Sequence, residues 1–426
     1  MDILIESIPI AFLSNIWQTL TVAWFLILPP LFYWLFKILW MDFVNGVYWG
    51  KVDWVMLEIT PPNDIEETPQ AMEMIYDGLL GITKGINAVE TYVNGETPMY
   101  LSLELVSKEG EVHYYVRVAK QFKNLVESNF HAQYPACEVV EAEDYVNDIP
   151  KVIPNKKWNL WGTDFKLNKP DPYPIKTYKW FEESVTGKSL DPLATIIESL
   201  GKIGPKQYFW FQLVVAPYGP QAYDTGKAIV DKLAGKAKEP QKGILEMIFN
   251  DIKEVIMGVF TGIAGKPVEF ATAKEKAADA PLEFRLTPGE RDVLKALEEG
   301  MAKSAFKTKM RMIYVGRREA FNKVVVGSFI GGLNQFTDVN LNSFSPDNDS
   351  KTFALHLFVE ARTRYRQRKI LRRYRSRNMD GGKFFLNTAE LATIFHLPNM
   401  SVISPAIHKI ETKTGAAPAN LPIAIE

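Results

Sequence analysis

The longest unbroken apolar pattern runs from Ile16 to Met41 (IWQTLTVAWFLILPPLFYWLFKILWM), with Lys37 its only charge. At 1.5 Å per residue, a helix of this length covers about 39 Å against roughly 30 Å of bilayer hydrocarbon, so the pattern predicts one transmembrane helix. A cleaved signal peptide fits less well, because no basic n-region precedes the run and no small-x-small site follows it. Trp24, Pro29, Pro30 and Trp34 lie inside the expected span, and the two prolines remove amide donors to Phe25 and Leu26, which predicts a kink. Asp2 and Glu6 precede the run, whereas Lys37, Asp42 and Lys51 sit at its end and beyond. That bias places the N-terminus outside and the bulk of the chain in the cytoplasm, on a single-pass anchor in the inner (cytoplasmic) membrane.

Beyond residue 52 the pattern changes to short alternating runs. Asp53 to Thr60 alternates with Val55, Leu57 and Ile59 on one side and reads as a strand. Thr68-Pro69 opens a helix with Met72, Ile75 and Leu79 at helical spacing. Met99 to Val118 alternates on both sides of Lys108-Glu109-Gly110-Glu111 and predicts a hairpin. A helix through Phe122 to Phe130 and a short strand at CEVVEA complete the order β-α-β-β-α-β. This is the ferredoxin-like arrangement, expected over residues 52–145.

Residues 146–174, rich in Pro, Asn and Trp, read as a linker. The same element order is then expected to recur over 175–345. Its parts are a strand at Ile175 to Glu182, a helix after Asp191-Pro192, a strand at Tyr208 to Val215, a strand at Phe306 to Val315, a helix through Glu319 to Phe336 and a strand near Val339 to Phe344. A helical insertion, 216–304, interrupts this second unit. Within it Leu245, Ile248, Ile252, Val255, Ile256 and Val259 form a broad apolar face, read as core, as a subunit contact of a homo-oligomer or as a membrane-surface helix. The expected fold class is therefore α+β: one N-terminal transmembrane helix followed by two ferredoxin-like units.

Composition narrows the chemistry. The net charge is −1, and Cys137 is the single cysteine, which excludes an intrachain disulfide framework. Thr186-Gly187-Lys188-Ser189 matches the end of a nucleotide-binding loop, but Glu182 occupies the position of its first glycine, so a surface turn is the better reading. The five histidines lack metal-ligand spacing, and His113 is expected to face solvent. No cofactor is expected. The basic run Ala361 to Arg377 carries Arg362, Arg364, Arg366, Arg368, Lys369, Arg372, Arg373, Arg375 and Arg377 without an acid. Such a one-signed cluster suits DNA phosphates or anionic lipid, unless it is simply the solvated face of a helix that buries Ile370, Leu371 and Tyr374.

In the last segment, Leu386-Asn387-Thr388, Glu390-Leu391-Ala392, Phe395-His396-Leu397-Pro398 and Ala416 to Pro422 carry a family likeness. Pro192-Leu193, Gln212-Leu213-Val214 and Lys303 to Ile313 add to it upstream. These stretches resemble the membrane-proximal, non-motor region of conjugative DNA-transfer ATPases, the type IV secretion coupling-protein-like family. In that family the segment precedes the P-loop motor, whereas this sequence stops at Glu426. The resemblance therefore implies a non-enzymatic membrane-anchored adaptor or assembly module whose motor is a separate polypeptide or has been lost. A self-assembling membrane-associated scaffold is the alternative.

Overall fold

The computed structural model describes residues 10–62, 65, 67–181, 190–233, 286–399, 407 and 409, and in the first helix the side chains of Phe25 and of Leu28 onward. The apolar face from Leu245 to Val259 and the Thr186–Ser189 turn lie outside the described residues.

The first helix, α1, is Ile10–Lys51, 42 residues that continue through Pro29 and Pro30. The transmembrane expectation is corrected here: among the described residues no helix is long and apolar enough to cross a membrane. The described part is broken by Lys37, Asp42, Asn45 and Lys51. Moreover, its C-terminal third is docked on protein. The Trp40 indole donates to the Tyr92 carbonyl at 2.7 Å, Val44 is buried, and Trp49 stacks on Trp54 and against Tyr100. Pro29, Pro30 and Trp34 are exposed, and the Trp24 side chain lies outside the described part.

Among the described residues, nine antiparallel strands form one sheet. They are β1 (Trp54–Thr60), β2 (Leu101–Lys108), β3 (Glu111–Ala119), β4 (Glu138–Glu141), β5 (Trp158–Leu167), β6 (Gln207–Tyr218), β7 (Ala305–Arg317), β8 (Phe344–Pro346) and β9 (Phe384–Asn387). The order is β4-β1-β3-β2-β6-β7-β5-β8, with β9 pairing β7. Each half of the sheet thus has the same internal order, and the halves join along β2 and β6, in register from Leu101 opposite Val215 to Lys108 opposite Tyr208. The architecture is α+β with one large antiparallel sheet, and the expected membrane-spanning helix ahead of it is not found among the described residues.

Trp158–Leu167, expected as linker, is the strand that pairs β7 from Trp158 opposite Arg317 to Asp164 opposite Arg311. Its Gly162 sits where an added Cβ would come to 3.0 Å from the Met312 carbonyl oxygen and 3.4 Å from the Ile370 side chain, so a larger residue would press on both neighbours. Conversely, the strand expected from Ile175 is absent over its described residues, where Tyr178–Phe181 is a turn of 3₁₀ helix.

One face of the sheet is covered by α2 (Pro69–Leu79), α3 (Lys123–Gln133), α4 (Ala194–Gly201) and, later in the chain, α7 (Val324–Leu333). Met72, Ile75, Val126, Phe130, Ile197 and Phe329 meet Leu103, Leu213 and Met310 of the strands in one continuous core. Helices α5 (Asp224–Leu233) and α6 (Pro288–Met301) lie within the 216–304 insertion, and α6 opens with the Thr287–Glu290 capping box. The opposite face is covered by α8 (Val359–Ser376), which contains the basic run, and by the chain from Tyr145 to Ile153. Last, α9 (Thr388–Ile394) follows β9 and is buried throughout, capped by Asn387 and Glu390 reciprocally at 2.9 Å.

Candidate anion-docking face on the arginine helix

Alternation sets what lies under α8. Along one transverse row of the sheet, Glu58, Tyr115, Glu104, Gln212, Arg311 and Asp164 are successive register partners, so their side chains share a face. Glu104, Gln212, Arg311 and Asp164 are fully buried beneath the C-terminal half of α8. Buried charge needs partners, and each has them.

Arg377, the left-handed residue that ends α8, gives Nε to Glu104 at 3.0 Å and a second guanidinium nitrogen at 3.2 Å, while bonding Asp144 with its Nη atoms. Ser102 and Gln212 also donate to Glu104, at 2.7 and 2.8 Å. The Tyr145 hydroxyl donates to Glu104 at 2.6 Å; its oxygen is then free to accept from Tyr374 at 2.7 Å, so a proton chain runs Tyr374 to Tyr145 to Glu104. Burial works to raise the Glu104 carboxyl, but Arg377 and these donors hold it below its ordinary value. Burial likewise works against the Arg377 charge, and Glu104 and Asp144 outweigh it.

Arg311 extends the network. It meets Asp164 at 3.2 Å and donates to the carbonyls of Arg373 and Asn378 at 2.6 and 3.0 Å, while Gln212 donates to the Tyr374 carbonyl at 3.3 Å. The negative end of the helix therefore rests on buried donors, satisfying carbonyls that an α-helix leaves unpaired. Lys309 pairs with Asp164 at 2.8 Å, and burial lowers its ammonium pKa despite that partner. These contacts fix a helix whose like charges four residues apart would otherwise oppose it.

The network divides the nine basic residues of the run. Arg377 is wholly engaged inside the protein. Arg366 donates to the carbonyls of Asn348, Lys351 and Phe353, Arg362 to that of Leu355, and Arg375 to those of Ile149 and Pro150. Arg373 lies 3.9 Å from Asp164. Lys369 sits over the Tyr365 ring at 5.8 Å. Arg364, Arg368 and Arg372 are exposed, and among the described residues they form no ion pair. Spaced four apart, they make a stripe on the face turned away from the sheet. Arg368, Arg372 and Arg375 also wall a groove of about 590 Å³ with Lys151, over a floor of Val152, Ile153 and Leu371.

A larger groove, about 870 Å³, lies where α1 meets the sheet, but its walls mix Lys51, Lys84 and Lys120 with Asp53 and Glu96. There Lys84 is already paired with Glu96 at 2.6 Å and Glu90 at 3.3 Å. His113, expected in solvent, is mostly buried and bonds Glu58 at 2.7 Å. Sequence reading missed Glu104, Asp144, Asp164 and Arg311. The available signal was charge inside apolar strands, acidic at Glu104 on β2 and Asp164 on β5 and basic at Lys309 and Arg311 on β7.

No curated protein matches the chain. The family model described as Domain of unknown function (DUF8128) matches residues 50–409, from the end of α1 past α9. The sheet, both of its helical covers and the arginine helix all fall within that match, and the chain belongs to this family of unknown function.

Proposed function

We propose that this chain is a non-catalytic adaptor or assembly module that docks an anionic partner on α8, within a DNA-transfer, type IV secretion-like ATPase machine. The observation that supports it is the division of labour in the basic run. Buried pairs fix the helix, and Arg364, Arg368 and Arg372 present an uncompensated positive stripe. Guanidinium groups are suited to phosphate, which they bind bidentately. The motor supplied in trans rests on the family resemblance of the segment from Leu386 to Pro398, which is built into the sheet through β9 and into the core through α9.

The test is affinity capture of the full chain from its native source, scored for a P-loop ATPase and for ATP hydrolysis in the eluate. Recovery of such a motor supports the reading; its absence after crosslinking contradicts it. The scaffold reading draws on the exposed apolar flank of α1, including Phe32, Trp34 and Leu39. A discrete homo-oligomer formed without any partner would favour it.

A further inference from the structure

We propose that the anionic partner of α8 is a lipid bilayer surface, with the Leu355–Phe358 turn inserted among the acyl chains and the arginine stripe on headgroup phosphates. This rests on the anion-docking reading above and names its partner. Immediately before α8, Leu357 and Phe358 are 79% and 82% exposed, and Phe353 and Leu355 are at least half exposed. Contiguous large apolar side chains in water mark an interaction site.

The turn is also held in shape. His356 and Phe358 take left-handed backbone, φ 61° and 55°, which is uncommon for side chains of this size. Arg366, through three carbonyls of the preceding loop, and Arg362, through the Leu355 carbonyl, tie the chain leading into the apolar tip to the helix that follows it. Two cations of the basic run therefore build the projection, and three others flank it.

Charge selects an anionic surface, and the apolar tip selects among anions. A DNA duplex offers phosphates but no apolar phase for Leu355 and Leu357. A bilayer interface offers both within about 5–10 Å of depth. From Phe358 to Arg372 the helix covers about 21 Å, and Arg364, Tyr365, Arg368 and Arg372 lie on its outward face. A helix lying in the interface plane would bring that face and the tip to the same surface. Tyr365, exposed and amphipathic, suits the headgroup level. The groove between Lys151 and Arg372, with its apolar floor, has room for a phosphate and its glycerol.

The test places an environment-sensitive dye on Leu357→Cys in the full chain; Cys137 is buried and stays unlabelled. Because α1 exposes apolar side chains of its own, the local dye signal, not bulk binding, is the readout. Vesicles of equal parts phosphatidylglycerol and phosphatidylcholine should brighten the dye and shift it to the blue several-fold more than phosphatidylcholine alone. The triple change Arg364→Glu, Arg368→Glu and Arg372→Glu should abolish the difference. A silent dye on anionic vesicles, or an equal response to neutral ones, overturns the lipid assignment. If the dye is silent while the three arginines still bind duplex DNA or an acidic peptide, lipid docking fails and anion docking stands. If the triple variant alters no anion binding at all, both fail.

Discussion

On one face of the sheet, Leu103, Leu213 and Met310 meet four helices in an apolar core; one residue along the same strands, Glu104 pairs with Arg377 at the end of α8, Gln212 and Arg311 donate to carbonyls of its last turn, and Arg311 pairs with Asp164. Both faces are buried, but they tolerate change differently. An apolar core loses transfer and cavity energy in proportion to what is removed. An ion network loses little when both partners go and much when one is left behind. The apolar face makes the protein fold, and the polar face fixes where the arginine helix lies.

The sharpest way to separate the two is Arg377→Met, which leaves Glu104 buried without its counter-ion. Unfolding in urea should show a loss of about 3–5 kcal/mol. Adding Glu104→Gln should recover a large part of it, and simple additivity of the two changes would mean the pair is not coupled. On the apolar face, Leu213→Ala should cost about 3 kcal/mol, with no partner substitution able to rescue it.

The two faces should also answer pH with opposite signs. Glu104 is depressed, so its contribution is present above the unfolded carboxylate range and is lost as pH falls through its folded value. Glu390, at the start of α9, is pushed up to about 7 by burial, against bonds from the Asn387 and Ile175 amides and with Asp171 adding to the rise. Its contribution is therefore present below the unfolded value and is lost as pH rises through about 7. Urea midpoints at pH 5 and pH 8 should differ less in Glu390→Gln than in the parent chain. A smaller effect, about 1 kcal/mol, is expected for Asn387→Ala, which removes the cap of α9 while leaving both sheet faces intact.

Local chemistry was legible in the sequence where one segment decides its own structure. The hairpin at Lys108–Glu111 occurs where spacing put it. Partners brought from afar were not legible. On β7, Lys309 and Arg311 alternate with Met310 and Met312, and their side of the sheet is roofed by a helix from much later in the chain. The strand Trp158–Leu167 was hidden because Gly162 and Asp164 interrupt its apolar pattern. Both residues serve α8: one admits Ile370, and the other pairs with Arg311. The basic run read as one set of nine, although only contact geometry separates Arg377, which is interior, from Arg368, which is exposed. The apolar run of α1 spoke for a membrane span, while the docking of Trp40, Val44 and Trp49 on the domain required the fold.

The change with the smallest expected effect on stability is the triple Arg364→Glu, Arg368→Glu and Arg372→Glu, within about 0.5 kcal/mol, since none of the three makes a buried contact. It is also the most direct test of the central claim, that the stripe is what α8 offers to a partner. The measurement is binding of the full chain to anionic vesicles and to duplex DNA in parallel across a range of salt, beside Lys202→Glu as an exposed control elsewhere. The predicted result is a several-fold loss of the salt-sensitive vesicle binding in the triple variant and unchanged binding in the control. Parent-like binding of the triple variant to both probes would contradict the account.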